Sequence, residues 1–375
     1  MHSLGVTRAE FGALVAVVLM ATLGLFVSPL MIGVWVDGQA FAPTDAGALV
    51  TLELLLSAAT SMWLSGRVNR IPTNRWLSLS LSLVAIANLS CALVESYGGL
   101  VSLRLLAGFG GGIAYGIFGA TVASTPTPER LFAFISICQS ILISALLVLL
   151  PMSQNQWGGQ SIFLGLGLTG FLALLAVRAF PQIETPTAAG SGKLVLSPAA
   201  GLLLLGALLL AIIVMGIWAF SQQLGATSGL DDGQIGLVLG SATLAGLVGA
   251  GLAGILGVAF GRTWPILLGV LTMTLSMVAL TGWPSAAVFI VAQIGWAVSY
   301  YFLNPYILGL GAALDQHGRW AAAVAGIVNL GAALGPLIFA MLYQFVWIPW
   351  LLALVGIVSL GLLLTSVRLS QRSAS

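Results

Sequence analysis

The chain has 375 residues, of which 59% are apolar and 6% are charged, and its formal net charge is +2. A soluble domain carries about 25% charged residues, so this composition excludes a protein whose whole surface faces water. The small net charge gives no indication of a nucleic acid or an acidic partner. We therefore expect lipid to surround most of the chain.

Apolar runs long enough to cross a bilayer recur along the whole chain. A membrane helix needs about 20 apolar residues, and Pro, Gly and polar residues separate the runs. The sequence predicts an all-α integral membrane protein with twelve spans, at 11–36, 46–66, 76–95, 98–123, 131–150, 160–180, 199–224, 233–259, 264–282, 285–312, 320–345 and 347–367. Three prolines within spans are expected to kink them: Pro29, Pro305 and Pro336.

Basic residues segregate to alternate loops of this map. Positively charged loops stay on the cytoplasmic side, and with both ends inside, the inner loops and tails hold eleven of the twelve Lys and Arg residues: Arg8, Arg67, Arg70, Arg75, Arg130, Arg178, Lys193, Arg262, Arg319, Arg368 and Arg372. The twelfth, Arg104, lies within a span. We expect a multi-pass protein of the cytoplasmic (inner) membrane with both termini in the cytoplasm.

The chain also matches itself at an offset of 189 residues, which places Arg104 on Gln293 and Arg130 on Arg319. Six spans followed by six in the same orientation predict two bundles related by a pseudo-two-fold axis normal to the membrane. The expected domains are an N-terminal six-helix bundle at 1–180, a cytoplasmic linker at 181–198 and a C-terminal six-helix bundle at 199–375. Glycines that repeat along span 4 should let it approach its neighbours closely: Gly108, Gly111, Gly112, Gly116 and Gly119.

The loop after span 2 reads Ser65-Gly66-Arg67-Val68-Asn69-Arg70-Ile71-Pro72-Thr73-Asn74-Arg75, and the loop after span 8 reads Gly254-Ile255-Leu256-Gly257-Val258-Ala259-Phe260-Gly261-Arg262. Both are similar to the Gly-x-Leu-x-Asp-Arg-x-Gly-Arg-Arg signature of the major facilitator superfamily. The resemblance implies that family's fold, a cavity surrounded by spans 1, 4, 7 and 10, and a cytoplasmic gating motif at Gly66, Asn69, Arg70, Arg75, Gly261 and Arg262. In the family this motif closes the cytoplasmic side through charged residues. Because Asn69 and Val258 stand where the family has acids, the closure should be weaker here or use neutral hydrogen bonds.

Glu53 and Arg104 are the two strong ionisable candidates within spans. Such groups are costly in a membrane and usually have a use. At about 1.5 Å per residue they lie about 10 Å and 9 Å deep, so an ion pair is geometrically possible. In one reading Glu53 binds and releases a proton while Arg104 tunes its pKa. The alternatives are a permanent ion pair, and an Arg104 that hydrogen-bonds helix ends.

Polar and aromatic residues indicate a substrate cavity. In span 10, Gln293, Trp296, Tyr300 and Asn304 share one helical face. An apolar pocket with a few polar groups suits a small organic ligand, and the candidates are Trp35, Tyr115, Gln139, Trp218, Gln222, Gln293, Trp296, Tyr300, Asn304 and Asn329. In the alternative interpretation, such polar side chains are hydrogen-bonding partners between helices.

The sequence contains no catalytic pattern. Its histidines are His2 and His317, outside the spans, and Cys91 and Cys138 are expected to be small packing residues. We expect no enzyme, no metal and no cofactor. The predicted function is a secondary active transporter of a small organic solute, coupled to protons and working as a monomer in the lipid bilayer. The alternative is a non-transporting sensor or assembly protein with the same fold.

Overall fold

The computed structural model describes residues 5–65, 67–181, 197–314 and 319–372. Within these ranges the secondary structure is helical, without a strand. The chain divides into two compact units, Met1–Ser191 and Gly192–Ser375. Most of the predicted linker at 181–198 lies outside the described residues, so the predicted domain boundaries stay a prediction.

The first unit contains eight α-helices among its described residues. They are α1 (Arg8–Ala21), α2 (Leu23–Phe26), α3 (Ser28–Gly33), α4 (Pro43–Ser65), α5 (Thr73–Cys91), α6 (Tyr97–Ala123), α7 (Pro128–Trp157) and α8 (Gln160–Ala176). A π-helical turn, Val34–Gly38, follows α3, and short 3₁₀ turns occur at Val68–Arg70 and Val177–Ala179.

The described residues of the second unit form seven further helices. They are α9 (Pro198–Ala219), α10 (Ser221–Thr227), α11 (Asp232–Leu256), α12 (Thr263–Gly282), α13 (Ala286–Ala312), α14 (Arg319–Leu342) and α15 (Ile348–Arg372). Local sequence explains where two helices begin. Thr7 and Glu10 form a reciprocal capping box at α1, and Asp231 and Gln234 do the same at α11, which satisfies otherwise free backbone donors.

Ten helices of the described chain are long and apolar enough to cross a membrane: α4, α6, α7, α8 with its 3₁₀ extension, α9 and α11 to α15. The chain is therefore a multi-pass membrane protein. The predicted span at 76–95 corresponds to α5, a helix of 19 residues that also contains Arg75, Asn88 and several serines. The predicted span at 11–36 corresponds to α1 to α3 and the π-helical turn.

The first span is interrupted twice, where the sequence predicted a kink at Pro29. The chain leaves helical geometry at Thr22 and again at Val27. Pro29 explains the second break, because a proline nitrogen cannot donate to the carbonyl four residues earlier, which belongs to Leu25. The Ser28 hydroxyl donates to that carbonyl instead, at 2.8 Å. The predicted effect of Pro29 is thus found as an interruption with a local replacement hydrogen bond.

The predicted span at 199–224 is also interrupted, although this segment contains no proline. Helix α9 ends at Ala219, Phe220 adopts φ −101° and ψ 12°, and α10 begins at Ser221. The Ser221 hydroxyl donates to the carbonyl of Ile217 at 2.9 Å. The first span of each predicted half is therefore discontinuous, an arrangement common at the binding sites of secondary transporters.

Glycines bring α6 directly against the backbone of α4. A β-carbon at Gly108 would meet the carbonyl of Glu53, with the Glu53 carbonyl carbon at 3.0 Å, and one at Gly112 would meet the carbonyl of Ser57. The predicted close approach holds at these two positions. It does not hold at Gly119, where a β-carbon would have no neighbouring atom within 4 Å.

Candidate functional site

Glu53 and Arg104 meet inside the first unit. Helix α4 carries Glu53 and α6 carries Arg104, and the Arg104 Nη1 atom lies 3.2 Å from the Glu53 Oε2 atom. Arg104 is 0% exposed and Glu53 is 7% exposed. The sequence left open whether these residues pair. The close contact of Gly108 with the Glu53 backbone brings the two helices near enough for the pair to form.

Neutral groups from α3, the π-helical turn, α5 and α8 complete the surroundings of Arg104. Its Nη2 atom donates to the Oδ1 atom of Asn88 and approaches the Sγ atom of Cys91, both at 3.1 Å. Its Nη1 atom also lies 3.4 Å from the sulfur of Met31. The rings of Trp35 and Phe163 have their centroids 5.9 Å from the guanidinium carbon. A desolvated cation is thus held by one carboxylate, polar acceptors and aromatic faces.

One expectation about this part of the chain needs correction. Cys91 was expected to be a packing residue, but its sulfur is a hydrogen-bond partner of Arg104. Trp35, a candidate cavity residue, is fully buried and stacks on Phe163 with a centroid distance of 5.6 Å, and its role in a cavity stays a prediction. Asn88 was not identified from the sequence. Its separation of three residues from Cys91, which places both on one face of α5, could have indicated a polar site.

Gln139 and Tyr115, the other candidates of the first unit, have different contacts. The Gln139 Nε2 atom donates to the Thr22 hydroxyl at 2.6 Å, which joins α7 to the break between α1 and α2. Tyr115 is 37% exposed, and its ring lies 6.3 Å from that of Phe118. These contacts fit the alternative of polar contacts between helices for Gln139.

In the second unit, a row of aromatic rings joins α9 to α13. Trp218 stacks on Trp296 with centroids 5.6 Å apart and planes 7° apart. Trp296 in turn stacks on Tyr300, with values of 5.9 Å and 6°. We name these three residues the aromatic stack. Their spacing along α13 brings Trp296 and Tyr300 to one helical face, as the sequence predicted.

Buried amides lie beside the aromatic stack. Gln293 is 0% exposed, and its Nε2 atom donates to the Ser221 hydroxyl at 3.3 Å. The Gln222 Nε2 atom donates to the Oδ1 atom of Asp232 at 2.6 Å. Gln223, next in the chain, is also buried. We name Gln222, Gln223 and Gln293 the glutamine cluster.

Asn304 on α13 and Asn329 on α14 are the remaining candidates of the second unit. Asn304 and Tyr300 line a small cavity that is otherwise apolar, with a volume of about 20 Å³. This volume is enough for a water molecule, far below that of a pocket for an organic solute. Asn329 is exposed on α14. That Asn329 faces a substrate cavity stays a prediction.

The predicted gating motif falls on the loops after α4 and α11. Gly66 and the side chain of Asn69 lie outside what the structure describes, and the backbone of Asn69 belongs to the turn Val68–Arg70. Arg70 and Arg75 are exposed. In the second copy, Gly261 has φ +67°, and Arg262 precedes the first turn of α12. The described residues contain no group of three or more His, Cys, Asp or Glu that could hold a metal ion.

No protein-family model matches the chain, and no curated protein matches it. Solved structures do. A bacterial homolog of the human lysosomal transporter Spinster, inward-facing and occupied, has a TM-score of 0.73 at 15% identity, covering 98% of this chain and 94% of its own. The nucleoside transporter NupG has a TM-score of 0.73 at 11% identity, covering 98% and 99%. The chain therefore has the fold of these transporters, which is that of the major facilitator superfamily, as its loop motifs predict.

Proposed function

We propose that the chain is a secondary active transporter that moves a small organic solute by alternating access and is coupled to protons. In this proposal twelve spans form two six-helix bundles in the cytoplasmic membrane, with the linker and both termini in the cytoplasm. The protein works as a monomer, and the proposal covers uptake and efflux alike. No catalytic step is involved, and no cofactor is required.

The buried pair of Glu53 and Arg104 carries this proposal. An ionised side chain within a membrane costs about 2.5–3.5 kcal/mol on insertion scales, and both residues lie in helices of the membrane-spanning part. Protonation of Glu53 would leave the Arg104 charge unbalanced in a site whose other recorded partners are neutral. The resulting electrostatic imbalance would favour a different arrangement of α4 and α6, and so would couple proton binding to a conformational change.

Two further observations support transport as the class of activity. The solved structures that the chain resembles are those of transporters, one of them for nucleosides. The helix breaks at Thr22, Val27 and Phe220 interrupt regular hydrogen bonding within apolar segments, where such interruptions are tolerated mainly beside protein or a water-filled cavity.

The test is solute flux into proteoliposomes across a panel of small organic solutes, with and without an imposed pH gradient. Glu53→Gln keeps the size of the side chain but removes its proton-binding carboxylate, so the flux of this variant should lose its dependence on the pH gradient. Glu95→Gln is the matched control, because Glu95 is exposed just before α6, and its flux should follow the wild type.

Two outcomes would contradict the proposal in different ways. A Glu53→Gln variant with unchanged dependence on the gradient would remove Glu53 from the coupling. If proteoliposomes that contain folded protein take up none of the solutes in the panel, the result would instead favour the non-transporting sensor or assembly protein.

A further inference from the structure

The second unit contains buried polar atoms that no neighbour satisfies. Among the described residues, no partner is recorded for Oε1 of Gln222, for Oε1 and Nε2 of Gln223, or for Oε1 of Gln293. The indole nitrogen of Trp296 also has none. These side chains are at most 6% exposed. Buried polar groups are normally hydrogen-bonded, so a group of unsatisfied ones needs an explanation.

These atoms belong to neighbouring segments. The hydrogen bond between Gln293 and Ser221 joins α13 to the beginning of α10, which carries Gln222 and Gln223. Trp296 lies one turn after Gln293 on α13, and it stacks on Trp218 from the end of α9. The glutamine cluster and the aromatic stack therefore meet around the break at Phe220.

The chemistry of this region defines what could satisfy it. The unpartnered atoms include three amide oxygens, which accept, and an amide nitrogen and an indole nitrogen, which donate. The three near-parallel rings favour a flat ring, because offset stacking is a preferred geometry of aromatic groups. Among the described residues of this unit no charged side chain is buried, and the half-buried carboxylate of Asp232 beside the cluster already accepts a hydrogen bond from Gln222. A charged ligand would therefore find no buried counter-charge here.

We propose that the glutamine cluster and the aromatic stack bind an uncharged, planar ring compound that has both hydrogen-bond donors and acceptors on its edge, as nucleobases and aromatic amides do. The ring lies parallel to the aromatic stack, and its edge satisfies the amides of the glutamine cluster. The proposal rests on the transporter function proposed above, because it identifies the class of solute that is carried.

The probes are radiolabelled uracil, adenine and nicotinamide, measured by equilibrium binding to detergent-purified full-length protein. Two analogues of nicotinamide test the two parts of the proposal. Nicotinate keeps the ring but carries a negative charge, and cyclohexanecarboxamide keeps the amide but is not planar. We expect at least one of the three probes to bind. Each analogue should displace the bound probe at least about tenfold more weakly than unlabelled nicotinamide does, a difference that corresponds to about one hydrogen bond.

Two variants and matched controls connect binding to the site. Gln293→Met removes the amide at similar size, and Trp296→Leu removes one ring of the aromatic stack. We expect about tenfold weaker binding for the first and about tenfold to hundredfold weaker binding for the second. Gln156→Met and Trp264→Leu change exposed residues of the same types, and they should bind as the wild type does.

Thermal unfolding shows which variants remain folded, and Gln222→Met replaces either one that does not. No binding of any of the three probes to folded wild-type protein would overturn this inference, as would binding that the folded variants leave unchanged. Its failure is distinguishable from that of the transporter proposal. Flux of some other solute without binding of the ring compounds would refute only the inference, whereas ring binding without flux would refute only the transporter.

Discussion

The Glu53–Arg104 pair should behave as one unit when the protein unfolds. Consider Glu53→Leu, Arg104→Met and the double variant. With 3.2 Å between Nη1 and Oε2 and an effective dielectric constant of about 20, the two charges attract by about 5 kcal/mol. Removal of one residue leaves the other charge buried without its partner. We expect each single variant to lower the free energy of unfolding by about 3–5 kcal/mol.

The double variant should be more stable than either single variant. It removes both charges and replaces them with apolar side chains, so no uncompensated charge remains. The double variant still loses the Arg104 guanidinium, which donates to Asn88 Oδ1 and Cys91 Sγ. The loss of these two hydrogen bonds together should cost about 1–3 kcal/mol. The costs of the two single changes therefore should not add.

The measurement is the unfolding of purified protein in detergent, followed by a spectroscopic signal of tertiary structure. Glu95→Leu serves as the matched control, because it removes an exposed carboxylate and its effect should add to that of Arg104→Met. A double variant of Glu53 and Arg104 whose cost equals the sum of the two single costs, within about 0.5 kcal/mol, would refute the reasoning.

Three further changes test the packing around this pair and the second loop motif, each by thermal unfolding. Gly108→Ala should destabilise the folded protein by about 1–3 kcal/mol because its methyl group meets the Glu53 backbone. At Gly119 a methyl group finds open space, so Gly119→Ala should stabilise the protein by about 0.5–1 kcal/mol through helix propensity. Equal effects of the two changes would contradict the close approach of α6 to α4. Cys91→Ala should lower the stability of the protein by about 1–3 kcal/mol because it removes a partner of Arg104. Cys138 is half-buried, and Cys138→Ala should lower the stability less. The reverse order would argue against the role of Cys91. Gly261→Ala should cost about 1–2 kcal/mol because φ is +67° there, and an unchanged midpoint would show that the loop adopts another conformation.

The sequence also indicated part of the candidate site. The spacing of Gln293, Trp296 and Tyr300 predicted that they share one face of a helix, because residues three and four apart lie on the same side of an α-helix. The two rings do stack. The partner of this face could not be read from the sequence, since Trp218 and Ser221 come from helices more than 70 residues earlier.

Apolar runs and their Pro, Gly and charged boundaries by themselves determined that the chain spans a membrane many times, because lipid requires long apolar helices. The two loop motifs predicted which fold the chain resembles. The packing of the helices, in contrast, determines that Glu53 meets Arg104, that Asn88 and Cys91 join them, and that the first span breaks at Thr22. Those outcomes depend on how each helix is rotated and how closely glycines let it approach its neighbours, and a pattern within one helix does not contain that information.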